Sequence, residues 1–427
     1  MERLTGLLGV AVLLGIAAAL STDLRRIPVR LVATGVLLQA ALAFLFLRFE
    51  PVVAVFDLFA RLVTRVISFA DEGIAFIFGR QITDPSGPWG FIFAVKVLPV
   101  IVFFASVMGA LYHLGVMQRV IAAVAWVLRR TLRVTGAEAL SAAANIFVGQ
   151  TEAPLCVKPY IPSMTRAQLM AVMTGGFATI AGSVMAAYIS MLGGDSEEAR
   201  VLFAKHLMTA SVMSAPAGFV MARIMLPETQ TPPDESLGAL VRQERTTRNV
   251  LDAIAAGATD GLRLALNVAA MLVAFVALLA MINWPLEALG RWEWISRLRP
   301  GSPPLTLQHL LGLVLRPLAW TMGVPWDECG RFGSLLGHQV ILTEFVAYDQ
   351  LARGIRAGEI SPRSAQIAAY SLCGFANFPS IAIQIGGLSA IAPDRRSDFA
   401  ALGLRAMTAG ALACWMTGAV AGVFIPR

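Results

Sequence analysis

Gly149-Gln150-Thr151-Glu152-Ala153-Pro154 and Thr343-Glu344-Phe345-Val346-Ala347-Tyr348 are short polar islands in long apolar surroundings. A third, Phe375-Ala376-Asn377-Phe378-Pro379-Ser380, follows the second. A carboxylate at bilayer depth costs about 2.5–3.5 kcal/mol on insertion scales, so one that persists there faces a cavity, an ion or a solute. Glu152 and Glu344 therefore mark where this chain works. Around them, residues 137–161 and 330–354 each read as short helix, polar tip, short helix. That is the pattern of a re-entrant hairpin, because non-helical backbone is tolerated at depth only where protein or a cavity covers it.

The surroundings are those of an integral membrane protein. Of 427 residues, 57% are hydrophobic and only 14% charged, with a mean hydropathy of +0.70. A soluble chain carries about 25% charged residues. In lipid the backbone must satisfy its own hydrogen bonds, and the long apolar runs fit helices rather than barrel strands. Candidate spans cover 4–20, 29–47, 90–116, 169–192, 202–226, 262–282, 364–391 and 400–425. Each is near the ~20 residues needed to cross the hydrocarbon. The first reads as a membrane helix rather than a signal peptide, since no small-x-small site is followed by soluble sequence. Residues 52–78 differ: Asp57, Arg61, Thr64, Arg65, Ser68, Asp71 and Glu72 repeat at the helical period. This predicts an amphipathic helix lying in the membrane interface.

Arginines in short loops report orientation. Arg25, Arg26 and Arg30, then Arg119, Arg129, Arg130 and Arg133, then Arg242, Arg245 and Arg248, then Arg395 and Arg396 fall after alternate spans, which places those loops in the cytoplasm. The loop with Asp195, Glu197 and Glu198 falls on the other side, while Arg291, Arg297 and Arg299 run against the rule. Eight spans put both termini on the periplasmic side of a bacterial inner membrane. The first hairpin then enters from the cytoplasm and the second from outside, and the order hairpin, span, span occurs twice in opposite orientations. The expected fold is an all-α integral membrane protein with eight transmembrane helices, two opposed re-entrant hairpins, interfacial helices and an inverted repeat, a secondary-transporter architecture. Residues 1–135 read mainly as scaffold, 136–227 as a first transport repeat, 228–329 as a scaffold helix with interfacial segments, and 330–427 as a second transport repeat.

Other function classes find little support. The net charge of +7 sits in orientation-setting loops and is no nucleic-acid signal. Cys156, Cys329, Cys373 and Cys414 lack metal spacing and read as small core residues; His113, His206, His309 and His338 form no cluster and read as packed side chains. No metal triad, nucleophile elbow or catalytic histidine accompanies the glutamates, which argues against a membrane enzyme. A solute-permeable pore without coupling remains the other reading of two polar hairpins.

The run from Gly149 through Pro154, continued by Leu155-Cys156-Val157-Lys158-Pro159-Tyr160, closely resembles the first hairpin signature of concentrative nucleoside transporters. Glu344-Phe345-Val346-Ala347-Tyr348 resembles the second. Cys373-Gly374-Phe375-Ala376-Asn377-Phe378 and Ile383-Gln384-Ile385-Gly386-Gly387 resemble the unwound seventh span. Phe91-Ile92-Phe93-Ala94-Val95-Lys96-Val97-Leu98-Pro99 and Leu111-Tyr112-His113-Leu114-Gly115-Val116-Met117-Gln118 resemble the third. The matches run in the family's order. The resemblance implies a homotrimer, each subunit with a scaffold and a moving transport domain, and sodium- or proton-coupled nucleoside uptake by an elevator-like movement.

It also assigns roles. Gln150, Thr151, Glu152 and Val184 fall on positions that meet the base. Gln and Thr supply donors and acceptors and Glu an acceptor, as the amide-like edges of a base require. Glu344, Asn377 and Ser380 fall on positions around the ribose, where a carboxylate binds hydroxyls about twice as strongly as a neutral acceptor, and Phe375 falls where it would pack against the nucleoside. Asn145, the Val148 carbonyl, Thr179 and the Ile180 carbonyl match sodium ligands, all oxygens as a hard cation prefers. No other cofactor is implied, and a proton carried on Glu152 or Glu344 is the alternative coupling. Three places depart from the pattern: Thr343 where Asn is usual, Gln339 where Lys is often found, and Pro379 with Ala382 in place of Ser and Gly. They bear on substrate preference.

Overall fold

A computed structural model describes residues 2–83, 92–194, 196–233, 247–292 and 304–425. Asp195, Arg242, Arg245, Arg297 and Arg299, and the start of the third-span motif at Phe91, lie outside the described residues. Every regular element among the described residues is helical. In chain order the helices are α1 (Glu2–Ala19), α2 (Val29–Leu47), α3 (Glu50–Phe78), α4 (Arg80–Thr83), α5 (Phe93–Lys96), α6 (Leu98–His113), α7 (Val116–Leu132), α8 (Gly136–Asn145), α9 (Arg166–Ala178), α10 (Gly182–Gly193), α11 (Glu197–Met225), α12 (Val250–Gly290), α13 (Leu307–Thr321), α14 (Cys329–Ile341), α15 (Glu344–Arg356), α16 (Pro362–Ser371), α17 (Phe378–Ile391) and α18 (Arg396–Phe424). Among the described residues six helical segments are long and apolar enough to cross a bilayer, and Thr5–Ala19 and Phe378–Ile391 are apolar but shorter.

Two of the candidate spans are broken, the later of them in the stretch whose motifs resemble an unwound span. The run at 169–192 divides at Thr179, which is extended (φ −131°, ψ 169°) and ends α9. The run at 364–391 divides between α16 and α17, where Asn377 is extended and caps α17. Hydropathy cannot register such a break, because the residues on both sides stay apolar. Pro379 falls in the first turn of α17, where its missing N–H has no intrahelical partner to lose. Its fixed φ suits the start of that helix.

The two polar islands sit at helix ends. The first follows α8 and returns through 3-10 turns, Ala153–Val157 and Ile161–Ser163, because Pro154, Pro159 and Pro162 deny a full α-helical arm. The second joins α14 to α15 through Leu342 and Thr343 alone. Each island is followed by a broken helix and then a 29-residue helix, α11 or α18. The contacts are exchanged in the same way: α9 packs on both α11 and α18, and α16 packs on both α18 and α11.

Close approach through glycine assembles the bundle, since helices in lipid gain from van der Waals contact rather than hydrophobic transfer. α6 and α12 form one such pair: a Cβ on Gly109 would lie 2.6 Å from the Ala253 carbonyl oxygen, and one on Gly257 2.5 Å from that of Ala105. α12 has 41 residues. It is therefore about 60 Å long, twice the hydrocarbon thickness. α1 packs on α18, and α2 packs on α11 and on α18, where Gln39 Nε2 donates to Thr417 Oγ1 at 2.8 Å. α3 is one continuous helix, and its acidic edge is engaged: Asp57 pairs with Lys205 at 2.8 Å and Asp71 with Arg200 at 3.3 Å, both on α11. Its other side exposes Val55, Leu58, Leu62, Phe76 and Ile77. None of the four cysteines forms a disulfide.

Gly374 shows how tight the centre is. A Cβ there would collide with Cys414 Sγ and lie 2.5 Å from the Phe177 carbonyl oxygen. Gly374→Ala is expected to destabilise the protein by about 1–3 kcal/mol through overpacking. Gly386, in an exposed position with nothing within 4 Å of its Cβ site, is the control. Thermal unfolding in detergent separates the two, and an unchanged melting temperature for Gly374→Ala would contradict the packing argument.

Candidate functional site

Glu344 opens α15, behind the N-cap Thr343, whose hydroxyl accepts from Val346 N at 3.4 Å. The positive end of the helix dipole faces a carboxylate placed there. Glu344 is 3% exposed, and both of its oxygens are held. Tyr188 Oη of α10 donates to Oε1 at 2.9 Å, and Asn377 Nδ2 donates to Oε2 at 2.7 Å. Asn377 cannot turn its amide over, because its Oδ1 accepts from Ser380 N at 2.9 Å to cap α17. The structure thus brings Glu344, Asn377 and Ser380 together. Among the described residues no Lys or Arg pairs with Glu344. Each carboxylate oxygen accepts one described bond and keeps acceptor capacity for another donor.

The other island is tied to the α9–α10 break. Gly182 N donates to the Phe147 carbonyl at 2.9 Å, and Phe375 N donates to the Thr179 carbonyl at 3.3 Å. These bonds join the first tip to the α9–α10 break, and that break to the α16–α17 break. Gln150 is buried, and its Oε1 has no partner among the described residues. Thr151 is half-buried against Gly387 of α17, and Phe375 is half-buried. Val184 is buried on α10, one helical turn before Tyr188. Glu152 is exposed and forms no ion pair among the described residues, so Lys158 does not neutralise it.

The candidate sodium ligands have oxygens to spare. Asn145, 1% exposed at the end of α8, has neither amide atom hydrogen-bonded. The Val148 and Ile180 carbonyls accept no hydrogen bond among the described residues. Thr179 Oγ1 donates to the Gly175 carbonyl at 2.9 Å, which leaves its lone pairs outward. A buried amide with no partner is rare in proteins, and its desolvation is costly unless a ligand or water relieves it. This donor set fits a hard monovalent cation.

Family models decide what the arrangement belongs to. The model described as Na+ dependent nucleoside transporter C-terminus matches residues 206–422, its N-terminal counterpart matches 8–81, and one described as nucleoside recognition gate matches 94–195. The chain belongs to the sodium-dependent nucleoside transporter family. This transporter is 44% identical, over all of its length and 98% of the relative's, to a Haemophilus influenzae protein described as an uncharacterized transporter. It is 38% identical to the rat sodium/nucleoside cotransporter 1, covering 64% of that chain. CNTnw in an inward-facing substrate-bound state superposes with a TM-score of 0.89 at 42% identity, covering 99% of this chain and 98% of that one. A variant of CNTnw in an outward-facing state superposes equally well, at 0.89. The transporter is therefore a multi-pass membrane protein with helices like those of solved relatives, and it is not an enzyme.

Several features of the transporter were not legible in advance. Tyr188 lay inside an apolar run, and the one clue was its position four residues after Val184. Gln384 is 1% exposed, donates to the Met173 carbonyl at 3.0 Å and leaves Oε1 unpartnered. Glu138, also buried, is a third acid that the polar islands did not reveal. It pairs with Arg223 of α11 and accepts from Thr135 Oγ1 at 2.8 Å, so its role is to anchor the base of α8. Two of the departing positions have packing duties. Thr343 caps α15, and Gln339 accepts from Trp415 Nε1 at 3.2 Å and donates to the Gly374 carbonyl at 3.4 Å.

Proposed function

We propose that this chain takes nucleosides up across a bacterial inner membrane by sodium-coupled symport. The observation that carries the reading is Glu344, a deeply buried carboxylate held through both oxygens by neutral donors and by no described cation. A ribose brings hydroxyl donors to such an acceptor, with Asn377, Ser380 and Phe375 beside it. Gln150, Thr151, Glu152 and Val184 then meet the base. Sodium sits among Asn145 Oδ1, the Val148 carbonyl, Thr179 Oγ1 and the Ile180 carbonyl. Those groups belong to the first tip and the α9–α10 break, so an ion that orders them also orders Gln150. This is differential stabilisation of one state, the requirement for coupling.

In this reading the two hairpins are re-entrant from opposite sides, with the termini periplasmic, and they move with α9–α11 and α16–α18 in an elevator-like step. The tightly paired α6 and α12 form the stationary part. α1 and α2, expected among the scaffold, pack on α18 and α11. We assign them to the moving body. The family resemblance adds a homotrimer.

Purified protein in liposomes tests the function. A sodium gradient alone is expected to drive labelled uridine above equilibrium, and a pH gradient alone is not. Accumulation that follows pH and ignores sodium would reassign the coupling to protons, and equilibration without accumulation under either gradient would make the chain a pore. Spin labels at exposed Val276 on α12 and Leu404 on α18 are expected to change separation between sodium-free and nucleoside-loaded protein. A fixed separation would remove the elevator step.

A further inference from the structure

We propose that Tyr188 is a positioning residue that fixes the Glu344 carboxylate for ribose recognition, and so sets how strongly the transporter prefers ribonucleosides over deoxynucleosides. The inference rests on the reading above that Glu344 faces the ribose.

The geometry is specific. Tyr188 is 0% exposed, and its hydroxyl donates to Glu344 Oε1 at 2.9 Å. Its ring is stacked on Tyr348 at 4.3 Å between centroids and edge-on to Phe345 at 4.7 Å. Tyr348 is itself held, its hydroxyl donating to the Ala369 carbonyl at 2.8 Å. The phenol is thus clamped by α15 while its own backbone belongs to α10. Asn377 takes the other carboxylate oxygen from α17. With one donor on each oxygen the carboxylate plane cannot rotate, and the remaining acceptor directions are fixed.

A fixed acceptor rewards a hydroxyl in the right place and rejects a sugar that lacks it, because its desolvated acceptor is then left unpaired. An acceptor free to rotate recovers part of that loss by turning to another donor or to water. The contact also crosses the repeats, from α10 of the first to α15 of the second. The ribose acceptor is therefore in register only when both halves are assembled around it.

The test is Tyr188→Phe, which keeps both ring contacts and removes only the hydroxyl. The readouts are KM and Vmax for uridine, 2′-deoxyuridine and 3′-deoxyuridine in proteoliposomes at saturating sodium. The expected result is a KM for uridine raised several-fold, Vmax within about twofold, and the deoxy-to-ribo KM ratio reduced at least about threefold, a change of roughly 0.65 kcal/mol in discrimination. Tyr348→Phe, which loses a hydroxyl not bonded to Glu344, is expected to leave the ratio unchanged. A Tyr188→Phe ratio equal to that of the wild type, or an equal fall in both variants, would overturn the proposal. A wild type that does not discriminate uridine from either deoxy analogue would instead overturn the placement of the ribose at Glu344.

Discussion

Glu344→Gln is expected to abolish uridine uptake in protein that remains folded. A glutamine fits the site without a clash of donors. Its oxygen can accept from Asn377 Nδ2, which cannot turn away because Asn377 Oδ1 holds Ser380 N. Its NH2 can then donate to Tyr188 Oη, since a phenol hydroxyl both donates and accepts. The charge is lost, and with it the free acceptor directions of one oxygen. Hydrogen bonds to a charged group contribute about 1.5–3 kcal/mol each. Two ribose hydroxyls therefore stand to lose about 3–6 kcal/mol, a fall of roughly 10²–10⁴ in apparent affinity. Uptake and thermal unfolding measured together check this. A stable variant that transports uridine within about threefold of the wild type would remove Glu344 from the site.

Asn145→Ala is expected to damage sodium dependence and leave nucleoside affinity nearly intact once sodium saturates. In the structure Asn145 is buried with both amide atoms unpartnered. Such groups cost about 1–3 kcal/mol each, so removing the amide should not destabilise the sodium-free protein. With sodium the sign reverses, because the amide oxygen becomes a ligand. The half-saturating sodium concentration is expected to rise about tenfold or more, equivalent to ~1.4 kcal/mol. A second readout needs no transport. Wild-type protein should gain about 2.7 kcal/mol of stability at a sodium concentration 100-fold above its Kd, and the variant should lose most of that gain over choline. An unaltered sodium response in both assays would place the ion elsewhere.

Much of this was legible because lipid restricts what a sequence can hide. Glu152 and Glu344 stood out since acids in apolar runs are rare, and the surrounding motifs named the family before any contact was known. The same filter failed where polar groups find partners from distant segments. Tyr188 and Glu344 are 156 residues apart in sequence, and no local pattern links them. Glu138 sits outside the polar islands, and its partner Arg223 lies 85 residues on. The helical period of 52–78 predicts an amphipathic helix but not the partners of its acids, Lys205 and Arg200 of α11. Thr343 departs from the family pattern, and only the fold shows that it caps the helix that presents Glu344.

The amino-acid order alone determined that the chain is helical and lipid-embedded, where its polar tips fall, and which family it belongs to. Those properties follow from hydropathy, period and short motifs, all of which act over a few turns of chain. Only the tertiary structure decided which oxygens are already spoken for and which are open. Hydrogen-bond satisfaction is settled between segments: Tyr188 and Asn377 occupy one direction on each Glu344 oxygen, while nothing described occupies Asn145.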